Sequence, residues 1–154
     1  MSAGELIIRA AKARDLPGLL ALYRELNPAD PTIERAQAEE RFGAILAQPG
    51  MTVFIGVAGK TAGASVTLVV VPNLTRNGAS YGLIENVVTA AHFRQRGYGR
   101  ALIQHATDAA FKAGCYKVML LTGSKDPATL RFYENCGFVQ DKTGYQIRRP
   151  APGS

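Results

Sequence analysis

The stretch YGLIENVVTAAHFRQRGYGRALIQHA, residues 81–106, decides how the rest of the chain is read. Residues 81–90 are rich in β-branched side chains and read as a strand. From Gly99 to Ala113 the pattern turns helical, with Leu102, Ala106, Ala109, Ala110 and Ala113 on one stripe, and Gly114 closes the helix as a left-handed cap would. Between strand and helix lie Arg94, Arg96 and Arg100, with Gly97 and Gly99 among them. A helix start leaves backbone N–H groups without internal partners and carries partial positive charge. Glycine lets the backbone approach a ligand closely, and successive N–H groups form an anion nest. With arginines added, such a loop suits a phosphate or pyrophosphate. It does not match the nucleotide-binding GxxxxGK pattern, and the run from Gly97 to Leu102 lacks the third glycine of GxGxxG.

The other elements are placed outward from this unit. LIIRAAK (6–12) reads as a first strand, and Asp15 is positioned to cap a helix carrying Leu16, Leu19, Leu20, Tyr23 and Leu26. NPADPT (27–32) ends that helix, and residues 33–48 form a second one, stopped by Pro49-Gly50. Strands 51–58 and 61–71 make a hairpin through Gly59-Lys60, and 72–80 is a loop. Downstream, the nearly continuous apolar run 116–121 suits a strand in the middle of a sheet. Residues 126–136 form a helix with Asp126 at its cap and Pro127 at its first position. Residues 138–149 look like a final hairpin, followed by a short tail, 150–154. The expected fold is one α/β (α+β) domain, residues 1–149, with a mixed central sheet of about six to seven strands flanked by about four helices.

With 154 residues, 47% hydrophobic and 19% charged, the chain has the composition of a soluble single domain. No apolar run approaches the ~18–20 residues that span a bilayer, so no membrane association is expected. The first fifteen residues lack an apolar stretch of secretory length. Cys115 and Cys136 form no CxxC, which argues against a disulfide framework and makes a cytoplasmic location the expectation. The net charge of +6 suggests an anionic partner. The arginines concentrate on one loop without a helix-turn-helix or RNA-binding motif, so no nucleic-acid partner is expected. His92 and His105 stand apart from acidic residues, and no metal is expected.

VVTAAHFRQRGYGRALIQHA (87–106) resembles the acetyl-CoA-binding segment of the GNAT acyltransferase superfamily. That loop reads Arg or Gln, two residues, Gly, one residue, then Gly or Ala; here it runs from Arg94 to Gly99. A second feature of the superfamily, an aromatic–Tyr–Glu run followed by Gly-Phe, lies in DPATLRFYENCGF (126–138). The resemblance covers residues 5–149. Within the superfamily it is nearest to the glucosamine-6-phosphate N-acetyltransferases, through IENVV (84–88), GCYKVML (114–120), FYENCGF (132–138) and QIRR (146–149). Asn86 stands where that family usually has Asp, and Leu121 where it has an acidic residue, so the sugar acceptor is less firmly implied than the acetyl donor.

The resemblance implies an N-acetyltransferase that moves the acetyl group of acetyl-CoA to the primary amine of a small molecule by direct attack on the thioester. An amino sugar phosphate is one candidate acceptor. It further implies that the strand ending NVVT opens away from its neighbour, so that the pantetheine arm pairs with Val87 and Val88. Arg94, Gln95, Arg96, Gly97, Tyr98, Gly99 and Arg100 would hold the pyrophosphate. Asp126 stands where many members have an Asn that touches the cofactor, although a helix cap is its simpler role. Tyr133 is the candidate general acid, since a phenol with a pKa of about 10 keeps its proton at neutral pH. Glu85 is either a base acting through water or a strand-edge partner of an arginine. Asn86 and Arg148 are candidate substrate contacts, and a solvated terminal charge is the other reading of Arg148. The amino-sugar family also implies a homodimer in which the C-terminal hairpin helps complete the neighbour's site. A catalytically silent acyl-CoA-binding module and an acetyltransferase acting on a peptide or protein amine remain open.

Overall fold

Among residues 5–152, which the computed structural model describes, five strands form a mixed sheet in the order β1-β2-β3-β4-β5. They are β1 (Leu6–Ala10), β2 (Met51–Ala58), β3 (Thr61–Val71), β4 (Tyr81–Thr89) and β5 (Val118–Leu120). The first three pairings are antiparallel and β4–β5 is parallel. Five helices accompany them: α1 (Leu16–Leu26), α2 (Arg35–Ala47), the single turn α3 (Thr75–Gly78), α4 (Tyr98–Lys112) and α5 (Pro127–Asn135). The chain resolves into two compact units, one ending at Leu120 and the other beginning at Leu121.

In the first unit, α1 and α2 lie on one face of the sheet. Leu19 on α1 and Phe42 on α2 are buried with Val53 and Ile55 of β2. Spacings of three and four residues put Leu19 with Leu22 and Ala38 with Phe42 on single helix faces. On α4, Leu102, Ile103, Ala106 and Ala110 are buried. Small residues let α4 come close to the sheet: a Cβ built on Gly82 would sit 3.4 Å from the Cβ of Ala110, and one on Gly56 only 2.9 Å from Leu102. Each fully buried leucine stabilises the fold by about 1.5–3 kcal/mol.

Four expectations need correction. The sheet has five strands, not six to seven, because residues 138–149 form no hairpin. Every side chain from Val139 to Arg149 is exposed, and an isolated two-stranded hairpin with no covered face is marginal in water. The apolar run 116–121 yields only the three residues of β5, at the end of the sheet rather than in its middle, with every residue half-buried. The loop 72–80 contains α3, which makes five helices among the described residues rather than about four, and whose Arg76 and Asn77 take left-handed conformations. Asp15 does not cap α1 with its side chain; its carboxylate accepts from Arg9 at 2.7 and 2.9 Å and from the Lys12 backbone. The Arg9 hydrogen bond is the main reason the Asp15 pKa lies below the usual carboxylate value.

The start of β2 depends on Gly50. It has φ +78°, a Cβ there would lie 2.5 Å from the carbonyl oxygen of Val70, and its own carbonyl accepts from Val70 N at 2.7 Å. Left-handed strain of about 1–2 kcal/mol and overpacking of about 1–3 kcal/mol then act together. Gly50→Ala is expected to lower unfolding stability by roughly 2–4 kcal/mol in a denaturant titration. An unchanged midpoint would show that the backbone at this corner can move aside.

Candidate active site

The candidate site begins where β4 loses its neighbour. β4 pairs with β5 only through Gly82, Leu83 and Ile84, opposite Val118, Met119 and Leu120. From Glu85 onward this edge of β4 has no ladder partner among the described residues. On its other edge β4 carries a bulge. Glu85 pairs with Thr67 and Val88 pairs with Ser65, so Asn86 and Val87 together oppose Val66 alone. Asn86 takes φ +53°, in the left-handed region.

The extra residue changes which way the strand faces. In a regular strand, side chains three apart point to opposite faces; a one-residue bulge returns them to the same face. Val88 is thereby buried with Leu22 of α1, Ala90 and Phe93. Asn and Asp tolerate left-handed backbone better than other side chains. Asn86 therefore holds this left-handed conformation with less strain than most side chains would.

Past the bulge the chain is tied down at each step. Ala90 N donates to Gly63 O at 2.8 Å, and Ala91 N donates to Oε1 of Glu25 at 2.9 Å. A 3-10 turn follows at Ala91–Phe93. The buried Phe93 ring stacks on Tyr98 with centroids 5.6 Å apart, so the two rings bracket residues 94–97. Both rings rest on Gly63, where a Cβ would meet each at 3.4 Å. The Arg96 guanidinium lies 5.5 Å from the Phe93 ring centroid, and Arg94 Nε donates to Thr89 O at 3.2 Å.

Within the loop, Gln95 and Gly97 are left-handed, at φ +64° and +78°. Gly97 is the N-cap of α4 and supplies no side-chain cap; the first helical hydrogen bond runs from Ala101 N to Gly97 O. The leading N–H groups of α4 therefore have no protein acceptor among the described residues. Arg94, Arg96 and Arg100 are exposed, and none makes an ion pair among the described residues. Free strand edge, left-handed turn, helix N-terminus and unneutralised arginines form one continuous stretch of chain, with the field and donors to hold an anion. Tyr98 belongs to this stretch, but its ring packs against Phe93 inside it. Glu85 is exposed.

The remaining candidates lie in the second unit. Asp126 caps α5, its Oδ1 accepting from Ala128 N at 2.9 Å. Tyr133 on α5 is partly buried, with its ring edge-on to Phe132 at 5.1 Å and Phe138 at 6.3 Å. Burial, with a smaller contribution from Cys136, pushes its phenol above the ordinary value, so it holds its proton at neutral pH. Arg148 lies in the exposed C-terminal segment. In the first unit, Cys115 is buried and its thiol is pushed up by burial, which suits packing rather than nucleophilic attack. Among the described residues, no group of three or more His, Cys, Asp or Glu side chains is placed to hold a metal, and no helix is long and apolar enough to cross a membrane.

Sequence reasoning passed over three residues that shape the loop: Glu25, Gly63 and Phe93. A glycine inside a strand pattern does signal close approach of other groups, and Gly63 carried that signal. Nothing local marks Glu25, because its partner lies 66 positions away.

Residues 19–138 match the family model described as Acetyltransferase (GNAT) family. A glucosamine 6-phosphate N-acetyltransferase 1 from Oryza sativa subsp. japonica is 34% identical over 142 residues, which are 86% of this chain and 81% of the relative. A glucosamine 6-phosphate N-acetyltransferase from Trypanosoma brucei brucei is 40% identical over 74 residues; the match spans 48% of this chain and about half (48%) of that protein's length. A solved structure from Agrobacterium tumefaciens strain C58, assigned as an acetyltransferase with no acceptor stated, superposes with a TM-score of 0.91 at 55% identity, covering 93% of this chain and 99% of that one.

The backbone of the loop separates its two glycines. Gly97 needs its positive φ although nothing lies within 4 Å of a Cβ there, whereas Gly99 sits in ordinary helical backbone. Gly97→Ala is expected to lower stability by about 1–2 kcal/mol, and Gly99→Ala to leave it unchanged or raise it by up to about 1 kcal/mol. Thermal unfolding of the two variants checks this, and equal losses would mean the left-handed turn is not the constraint.

Proposed function

The chain belongs to the acetyltransferase (GNAT) family, and from that premise we propose that it moves the acetyl group of acetyl-CoA to the primary amine of a small molecule, with an amino sugar phosphate as acceptor. The observation that carries this reading is the free edge of β4 beyond Ile84 running directly into a left-handed, arginine-bearing helix N-terminus. A donor with amide groups along one arm and a pyrophosphate at the end of that arm fits this sequence of features. Val87 and Val88 offer the strand edge. Residues 94–100 offer N–H groups and guanidinium charge for the pyrophosphate. The amino-sugar acceptor is supported by the rice relative, which aligns over most of both chains.

In the proposed reaction the amine nitrogen bonds to the thioester carbon, the C–S bond breaks, and sulfur leaves with the bonding pair. A backbone N–H at the bulge polarises the carbonyl. Tyr133 gives its phenolic proton to the departing sulfur. Glu85, open to water, takes the surplus proton of the amine through a water molecule. Asn86 and Arg148 are assigned to the acceptor, and Asp126 to the α5 cap with a contact to the donor. The proposal also includes a homodimer: Val139, Tyr145 and Ile147 are 78%, 90% and 98% exposed, apolar side chains that a second copy would cover.

Acetyl-CoA-dependent thiol release is to be measured over glucosamine 6-phosphate, glucosamine, polyamines, amino acids and peptide N-termini. Release with the sugar phosphate is the expected result. Release with another amine would keep the chemistry and replace the acceptor, and silence across the panel with acetyl-CoA still bound would favour the non-catalytic module.

Tyr133→Phe is expected to lower kcat roughly 100-fold or more with acetyl-CoA affinity unchanged. The rate needs the protonated phenol, so the wild-type rate falls as pH rises through the Tyr133 pKa, which burial places above the usual value. An alkaline limb that is identical in Tyr133→Phe would remove this residue from the mechanism.

A further inference from the structure

We propose that Glu25 is a positioning residue that holds the entry to the anion-binding loop from α1. This role rests on the acetyl-CoA reading above. Oε1 of Glu25 accepts from Ala91 N at 2.9 Å across 66 residues of chain. Ala91 opens the 3-10 turn that leads into residues 94–99, so the bond fixes the backbone just before the loop starts. Leu22 lies one helical turn earlier on the same face of α1 and is buried with Phe93 from that turn. An open groove of about 580 Å³ is bordered by Glu25, Lys60, His92 and Phe93. Glu25–Ala91 is the hydrogen bond that joins this part of α1 to the turn among the described residues.

The charge of Glu25 runs against the function of the loop it supports. A carboxylate near a site for a polyanion weakens binding through Coulomb repulsion. Its contribution must therefore come through geometry, as an acceptor that sets where the turn begins. A glutamine keeps a carbonyl acceptor of the same reach and removes the repulsion, whereas an alanine removes the acceptor. Because Glu25 is exposed, water can replace it on Ala91 N, so both variants are expected to fold with near-wild-type thermal midpoints.

The experiment compares wild type, Glu25→Ala and Glu25→Gln by steady-state kinetics, acetyl-CoA titration, and amide exchange of residues 91–99 in ligand-free protein. Glu25→Ala is expected to raise KM for acetyl-CoA roughly five- to tenfold, to change kcat by less than about twofold, and to speed exchange in 91–99. Glu25→Gln is expected to keep the wild-type KM or lower it, with wild-type exchange. Equal KM increases in both variants would overturn the inference, since charge and not the acceptor would then matter. Wild-type KM in Glu25→Ala would overturn it as well, whether or not exchange quickens. Wild-type protein that binds no acetyl-CoA at all would overturn the acetyl-CoA reading and this inference together, which separates that failure from the other two.

Discussion

Between the partners of Ser65 and Thr67, β4 carries one residue more than β3, and that residue, Asn86, sits in the left-handed region at φ +53°. Two things follow from this single insertion. Val88 turns to the face where it is buried with Leu22, so the strand end is anchored to α1. The insertion also falls just past the point where β5 stops, since the parallel ladder ends at Ile84 and Leu120, and a bulge bends the strand that carries it. A longer β5 would have covered the edge of residues 85–89. A β4 without the bulge would have turned Val88 away from Leu22 and left the loop entry without its anchor.

The loop that follows is held by its own Phe93–Tyr98 stack and Arg94–Thr89 hydrogen bond and, from outside, by three further contacts. Gly63 lies beneath the Phe93 and Tyr98 rings, Glu25 fixes Ala91, and the Gly63 carbonyl fixes Ala90. With both ends supported, Gln95 and Gly97 can take left-handed conformations that leave the first N–H groups of α4 without a protein acceptor among the described residues. That arrangement leaves donors and charge unspent inside the protein, available to a ligand. It also accounts for the asymmetry in the loop pattern. The first glycine is demanded by φ, while the second lies in helical backbone.

The strand–loop–helix unit was legible because three signals coincide within twenty-six residues: a β-branched run, a Gly- and Arg-rich break, and an apolar stripe at helical spacing. The four main helices followed from the same periodicity and from caps such as Asp126. The bulge was not legible, since Val87 and Val88 look alike to a period-two pattern whichever face each one takes. The length of β5 was hidden for a related reason. An apolar run tells how buried a segment wants to be, but its ladder lasts only as long as its neighbour stays beside it. The C-terminal segment has strand-like residues at 138–149, yet no strand among the described residues pairs with them. Glu25 and Gly63 act on the loop across long sequence distances, which no local pattern records.

The central claim is that the free edge of β4 and the start of α4 together receive acetyl-CoA. Amide hydrogen exchange with and without acetyl-CoA tests it residue by residue. Slowed exchange is predicted at Val87 and Val88 and at residues 97–100, with little change along β1 and β2. Binding that leaves both of those stretches unprotected would contradict it and place the donor elsewhere on the protein.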